Sequence, residues 1–323
     1  MSQQPALTAN RMSHPALNVK SWLQAFRVNS LIVSSIGVMT GTAAAIRDGY
    51  FDPARFLLAW LGAVAIQAGT NLTNVYFNYK STSASADPGA FDPKSSTSVI
   101  RLGLLTPPQI LGGGMLFFGV GIACGLVLTW LCGSTILWLG LPAVAAGFFY
   151  AGPPVRYGYL ALGVVAVFLF MGPVMVGGAY FVMALTFSPS ALAASIPIGL
   201  VAAGIMHTND LRDYDTDVMH GKHTLATMLG RRGAGFALAV MDILAYAVTL
   251  GAVIAGVLPW PVLLTLIAIP QVIQQVRTAF SATDVKQLHL VWLHGVQLHL
   301  EFGVLLIAGL LASAALHFFF GVS

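Results

Sequence analysis

Apolar and polar positions alternate along this chain on a long scale. Apolar runs recur, each long enough to cross the ~30 Å of a bilayer's hydrocarbon as a helix. They predict helices over 29–47, 55–79, 109–131, 135–151, 159–184, 191–209, 233–256, 259–276 and 295–319. The fold class expected is therefore all-α, a bundle of nine transmembrane helices in an integral membrane protein. The fourth run is short, and the glycines between 112 and 125 mark the third as a helix packed closely on a neighbour. Residues 1–28 are polar and mildly basic, without the apolar core and small-residue cleavage site of a signal peptide. They read as a tail carrying a short interfacial helix near 21–26, with 29–323 forming a single transmembrane domain.

Charge adds an orientation. With the N-terminus inside, the inner segments hold Arg11, Lys20, Arg27, Lys80, Lys94, Arg101, Arg156, Arg212, Lys222, Arg231, Arg232, Arg277 and Lys286. Only Arg47 and Arg55, of fifteen basic residues, fall outside, as the positive-inside rule requires. The N-terminus is expected in the cytoplasm of a bacterial cell, with the protein in the inner or plasma membrane. The two longest polar segments, 80–108 and 210–232, share that side, so the chemistry lies at one membrane face.

Composition agrees: 57% of residues are hydrophobic and 8% charged, which excludes an ordinary soluble domain. A net charge of +4 is modest, and the basic residues form no nucleic-acid patch. Cys124 and Cys132 have neither metal spacing nor a disulfide framework.

The densest polar stretch is Thr208–Lys222, which places Asp210, Asp213, Asp215 and Asp217, four of the eleven carboxylates, within eight residues. Read as helix, Asp210, Asp213 and Asp217 stand at i, i+3 and i+7 and share a face. Like charges so spaced repel, and a hard cation between them reverses the sign. Mg²⁺ carrying a phosphorylated substrate is the sharper reading, and a solvated helix end the plainer one. At the end of the second span Asn71, Asn74 and Asn78 repeat the same spacing. Three amides on an apolar helix must face a bundle interior or a cavity. They serve as interhelical hydrogen-bond partners or as a neutral oxygen wall opposite the aspartates.

Asn209-Asp210-Leu211-Arg212-Asp213-Tyr214-Asp215-Thr216-Asp217, followed by Gly221-Lys222 and Thr224-Leu225, resembles the second signature of the UbiA superfamily of intramembrane prenyltransferases. The branch it most resembles contains 1,4-dihydroxy-2-naphthoate polyprenyltransferase. The stretch from Tyr150 to Gly163, the segment Gly172–Gly178 and the entry to the third span at Gly103–Gln109 are similar to that branch as well. The resemblance runs from about residue 29 to the C-terminus and carries a nine-helix fold with it. It implies Mg²⁺-dependent transfer of a polyprenyl group from its diphosphate to an aromatic acceptor. It places Asp213, Asp217 and Lys222 in the chemistry, and metal ligation on Asp210, Asp213, Asp217, Asn78 and Asp87. Substrate contacts then fall to Asn71, Asn74, Asn78, Lys80, Arg156, Asn209 and Arg212, and the prenyl tail to the apolar interior, open to membrane lipid. Tyr150 and Tyr157 are candidate walls for the acceptor ring.

The first motif departs from the family pattern Asn-Asp-x-x-Asp. Here Val75 and Asn78 stand where carboxylates are usual, which removes roughly two units of charge from the metal site. Asp87 and Asp92 in the following loop are partial substitutes, or simply turn residues before proline. Two other readings compete: a prenyl diphosphate cyclase or hydrolase of the same fold, and a non-catalytic binder of prenyl lipid or quinone. Elsewhere, Asp242 and Glu301 fall inside predicted spans. His289, His294 and His299 recur every five residues and spread around a helix, whereas His207 lies one turn before Asp210, closer to the chemistry, in a structural role or one supporting the site residues.

Overall fold

The computed structural model describes residues 19–83 and 96–320. Asp87, Asp92 and Lys94 lie outside them. The helices are α1 (Val19–Phe26), α2 (Val28–Arg47), α3 (Pro53–Ser83), α4 (Ser98–Arg101), α5 (Pro107–Cys132), α6 (Thr135–Phe149), α7 (Leu162–Leu169), α8 (Met175–Ala184), α9 (Pro189–Arg212), α10 (Tyr214–Met219), α11 (Leu225–Ile254), α12 (Ile269–Ser281) and α13 (Val285–Phe320). A π-helical turn, Phe170–Val174, joins α7 to α8, and a 3₁₀ segment, Trp260–Ala268, leads into α12. Among the described residues there is no strand; Leu160 and His223 form an isolated parallel bridge. Eight helical segments are long and apolar enough to cross a membrane, while α6, at 15 residues, is shorter.

Helix ends follow local chemistry. The Thr106 hydroxyl accepts from the Gln109 N–H while Gln109 Oε1 accepts from the Thr106 N–H, a reciprocal capping box that starts α5 behind Pro107. Ser188 and Thr224 cap α9 and α11 in the same sense. Hydropathy places the start of α11 at 233, but the cap at Thr224 starts it earlier, with a kink at Gly230 (φ 73°). The last helix likewise begins at Val285 rather than 295. Its first turns carry Lys286, His289 and His294, polar residues that hydropathy reads as loop and a helix accommodates readily.

The core lies between α2, α8, α9, α11 and α13, around Phe302, Leu298, Leu306 and Ile198. Small residues let backbones touch. A Cβ on Gly172 would lie 2.6 Å from the Ser195 carbonyl, and one on Gly199 2.7 Å from that of Phe168, so α9 and the π-helical turn meet almost backbone to backbone. On α5 only one face is tight: Gly114 abuts Thr73 and Gly121 abuts Ile66 of α3, whereas Gly112, Gly119 and Gly125 look into open space. Asp242 lies well inside α11 and is fully buried, not near a helix end.

Candidate active site

The aspartate stretch is not one helix. α9 ends at Arg212, Asp213 (φ −90°, ψ 8°) forms its C-cap, and α10 carries Tyr214–Met219. The shared face expected of Asp210, Asp213 and Asp217 is therefore broken at its middle member. Asp210 and Asp217 are buried, while the Asp213 carboxylate is half exposed and held in a bidentate pair by Arg212, at 2.7 and 2.8 Å. Arg212 also lies over the Trp292 ring, 5.9 Å from its centroid. Asp215 is exposed and pairs with Arg231. His207, buried one turn before Asp210, bonds through Nε2 to the Ala234 carbonyl at 2.8 Å and ties α9 to α11.

After α10 the chain reverses at Gly221 (φ 65°), a left-handed conformation that glycine adopts without cost. The reversal brings Lys222 Nζ to 2.6 Å from Asp217 Oδ1. Burial pushes the Asp217 carboxyl above the usual carboxylate range, and the Lys222 ammonium opposes that shift.

The same reversal docks the stretch after α6. The His223 N–H donates to the Tyr159 carbonyl at 3.0 Å, and Lys222 Nζ stands 5.0 Å from the centre of the Tyr159 ring. Tyr159 donates its hydroxyl proton to Asn78 Oδ1 at 2.5 Å, and Asn78 Nδ2 donates to Asn74 Oδ1. A continuous polar path thus joins the amide wall of α3 to the aspartate stretch: Asn74, Asn78, Tyr159, Lys222, Asp217. Tyr159 is the residue sequence reasoning missed. Its only signal was membership of the Tyr150–Gly163 stretch, since its contacts depend on the tertiary pairing with residue 223.

Asn71 is buried, with both amide atoms partnered: Nδ2 donates to the Phe26 carbonyl at 2.7 Å and Oδ1 accepts from Gln67 Nε2 at 3.1 Å. Asn209 is buried too, and its Oδ1 has no partner among the described residues. Lys80 and Arg156 stand exposed.

Asn71, Asn74, Asn209, Tyr150 and Tyr157 form the polar end of a cavity of about 290 Å³. It continues past Gly62, Gly121 and the π-helical turn to Leu128, Ile136 and Val182, where the lining is wholly apolar. Tyr150 and Tyr157 meet edge to face at 5.5 Å. Burial raises both phenols, Tyr157 to about 12, so both stay protonated at neutral pH.

Among the described residues no three Asp, Glu, His or Cys side chains gather tightly enough to cage a metal. Mg²⁺ does not need such a cage: it keeps several waters and takes one or two carboxylates plus substrate phosphate oxygens. Asp210 and Asp217, two buried carboxylates within electrostatic range of each other, and the orphaned amide oxygen of neighbouring Asn209 are hard oxygen donors of that kind, and the donor set fits Mg²⁺.

A bundle of helices apolar enough to cross a membrane, with charged and hydrogen-bonding groups at one end of an apolar cavity, defines a class of protein able to hold an amphipathic molecule. Comparison with known proteins makes the class specific. Residues 34–294 match the UbiA prenyltransferase family, and the chain belongs to that family of transferases. It is 30% identical over 298 residues to a 1,4-dihydroxy-2-naphthoate octaprenyltransferase of Bacillus subtilis, covering 90% of this chain and 92% of that one. It is 28% identical over 295 residues to a 2-carboxy-1,4-naphthoquinone phytyltransferase of Synechocystis sp., with coverages of 90% and 92%. In fold it resembles a UbiA homologue from Archaeoglobus fulgidus bound to GPP and Mg²⁺, with a TM-score of 0.56 at 14% identity over 89% of this chain and 99% of that one.

Proposed function

We propose that this protein transfers a polyprenyl group from its diphosphate to an aromatic acceptor of the 1,4-dihydroxy-2-naphthoate type, with Mg²⁺ as cofactor. The observation that carries the reading is the cavity, whose polar end includes Asn209 and Tyr150, the latter within electrostatic range of Asp210 and Asp217, and whose far part is apolar. A prenyl diphosphate has the same polarity profile. Relatives named for naphthoate and naphthoquinone substrates at about 30% identity over 90% of the chain support the acceptor class.

Mg²⁺, when bound, would supply Lewis-acid stabilisation of the charge that develops on the departing diphosphate. Asp210, Asp217 and the Asn209 amide oxygen would hold it, with Asp213 and Asn78 at the margin; Asp87, outside the described residues, is a further candidate ligand by its sequence. Lys222 opposes the protonation of Asp217 that burial favours. Arg212 would turn toward the diphosphate from Asp213, and Lys80 and Arg156 would meet it at the rim. Asn74 and Asn78 line the α3 side with neutral hydrogen-bonding groups. Tyr150 and Tyr157, as protonated phenols, present ring faces that favour the allylic cation left when the C–O bond ionises. The surrounding apolar walls keep water from that cation.

The proposed setting is a bacterial inner or plasma membrane with the N-terminus and the site on the cytoplasmic side. α6 would be the ninth crossing and residues 29–323 one domain. The decisive assay is diphosphate release from geranylgeranyl diphosphate and Mg²⁺, with and without 1,4-dihydroxy-2-naphthoate. Acceptor-dependent release is expected. Release without acceptor would replace the reading by a cyclase or hydrolase, and retention of lipid with no release would replace it by a binder.

A further inference from the structure

Arg27 is the single residue between α1 and α2, and its backbone is left-handed, with φ 52° and ψ 63°. A residue with a Cβ adopts that region only when its surroundings impose it. Here they do. Trp22, Ala25 and Phe26 of α1 pack into a small core with Leu72, Val99 and Ile110, fixing the chain before the joint. The Phe26 carbonyl, at the joint, is gripped by Asn71 Nδ2 at 2.7 Å. Asn71 is oriented in turn by Gln67, which donates to its Oδ1 at 3.1 Å, and Gln67 Oε1 accepts from Ser34 Oγ at 3.2 Å. A relay therefore leads from α2 through one turn of α3 and back to the peptide that precedes Arg27.

The relay presents a cation. Arg27 lines the polar end of the main cavity and also an adjoining cavity of about 20 Å³ that it shares with Asn209 and Trp292. Asn209 Oδ1 and Trp292 Nε1 are both buried and without partners among the described residues. Arg212, Lys222 and Arg231 each have an aspartate within 4 Å. Among the described residues, Arg27 has neither an ion pair nor a side-chain hydrogen bond, although its guanidinium is half-buried and lies within electrostatic range of Tyr150, Arg212 and Asp213. A half-buried guanidinium in that condition offers its planar fork of N–H donors to an oxyanion.

We propose that Arg27 binds an anionic oxygen group of a substrate at the cavity mouth, and that Asn71 is a positioning residue that acts through Arg27 and not a ligand. The inference rests on the prenyltransferase reading. That reading supplies two sources of the oxyanion, the diphosphate of the donor and the carboxylate of the aromatic acceptor.

The test is calorimetric binding to the full-length protein in nanodiscs, with two probes: inorganic diphosphate with Mg²⁺, and 1-hydroxy-2-naphthoate as a stable aromatic carboxylate. Arg27→Asn removes the cation but keeps a residue that tolerates the left-handed region, so the thermal midpoint should hold or rise. One probe should weaken by about tenfold or more, as expected for loss of a charge-assisted hydrogen bond, and the probe that weakens identifies the source. Asn71→Leu should weaken the same probe. The double variant should be no weaker than Arg27→Asn alone, because a residue acting through Arg27 has nothing left to act on. Gln67→Leu breaks the relay one link earlier and should reproduce the effect if Asn71→Leu does not fold. Unchanged binding of both probes in Arg27→Asn, or additive losses in the double variant, would overturn the inference. Absence of binding by the unmodified protein to either probe would instead overturn the prenyltransferase reading beneath it.

Discussion

Lys222 is where the two polar motifs meet, and its partners say what its removal should do. Asp217 is buried, and Lys222 is the nearest counter-charge, 2.6 Å away. Removing one member of a buried pair strands the other, at a cost of about 3–5 kcal/mol when both are fully buried. The Lys222 side chain is 29% exposed, so water offsets part of that, and Lys222→Met should cost about 1–2 kcal/mol. Adding Asp217→Asn should restore most of the lost thermal midpoint, because no charge is then stranded, while turnover stays at least about 10²-fold down. Recovery of turnover along with stability would reduce the pair to a structural role. The sequence makes Asp217 and Lys222 legible as residues, because carboxylates and lysine are conspicuous in an apolar chain. Their pairing is not legible, since it depends on the Gly221 reversal. Tyr159 and Arg27 were harder still. One looks like any tyrosine in a loop, and the other is accounted for by the positive-inside rule before any further role is asked of it.

Among the elements, the long apolar helices were readable because hydropathy over some twenty residues is a strong signal. What it could not show was the departure from α-geometry at Phe170–Val174 and Trp260–Ala268. A segment apolar on every side has no periodicity from which a change of helix type could be read. The π-helical turn has a use: Phe170, Met171 and Val174 line the cavity, and such turns re-aim side chains where a regular helix would not. Its backbone is pressed against α9 through the Gly172–Gly199 contact. Gly199→Ala would place a Cβ 2.7 Å from the Phe168 carbonyl and 3.0 Å from the Phe168 ring. Neither backbone can yield without shifting the turn, so the variant should be less stable by about 1–3 kcal/mol. Gly177→Ala, whose Cβ would meet nothing within 4 Å, is the matched control. Equal thermal midpoints for the two would mean that the close approach carries no strain.

For the whole molecule, the bundle converts a one-sided sequence into a one-sided cavity. The polar ends of α3 and α9 and the segment after α6 converge on one end of the cavity, and its far end is apolar. Along α3 the lining runs from Asn74 back to Ala59, roughly 22 Å at the ~1.5 Å rise of a helix. In the prenyltransferase reading, the far end of that run meets the tail of the substrate. Gly125 lies toward that end, lines the cavity, and has open space where its Cβ would be. Gly125→Phe should therefore fill the far cavity without disturbing the packing of α5 on α3. The expected result is a KM for geranylgeranyl diphosphate raised about tenfold, the scale set by a blocked apolar subsite, with the KM for geranyl diphosphate little changed. Gly119→Phe, on the exposed side of the same helix, should leave both unchanged. If Gly125→Phe also leaves both unchanged, the tail departs between helices before reaching α5's end, and chain length is set by that lateral exit instead of by the depth of the cavity.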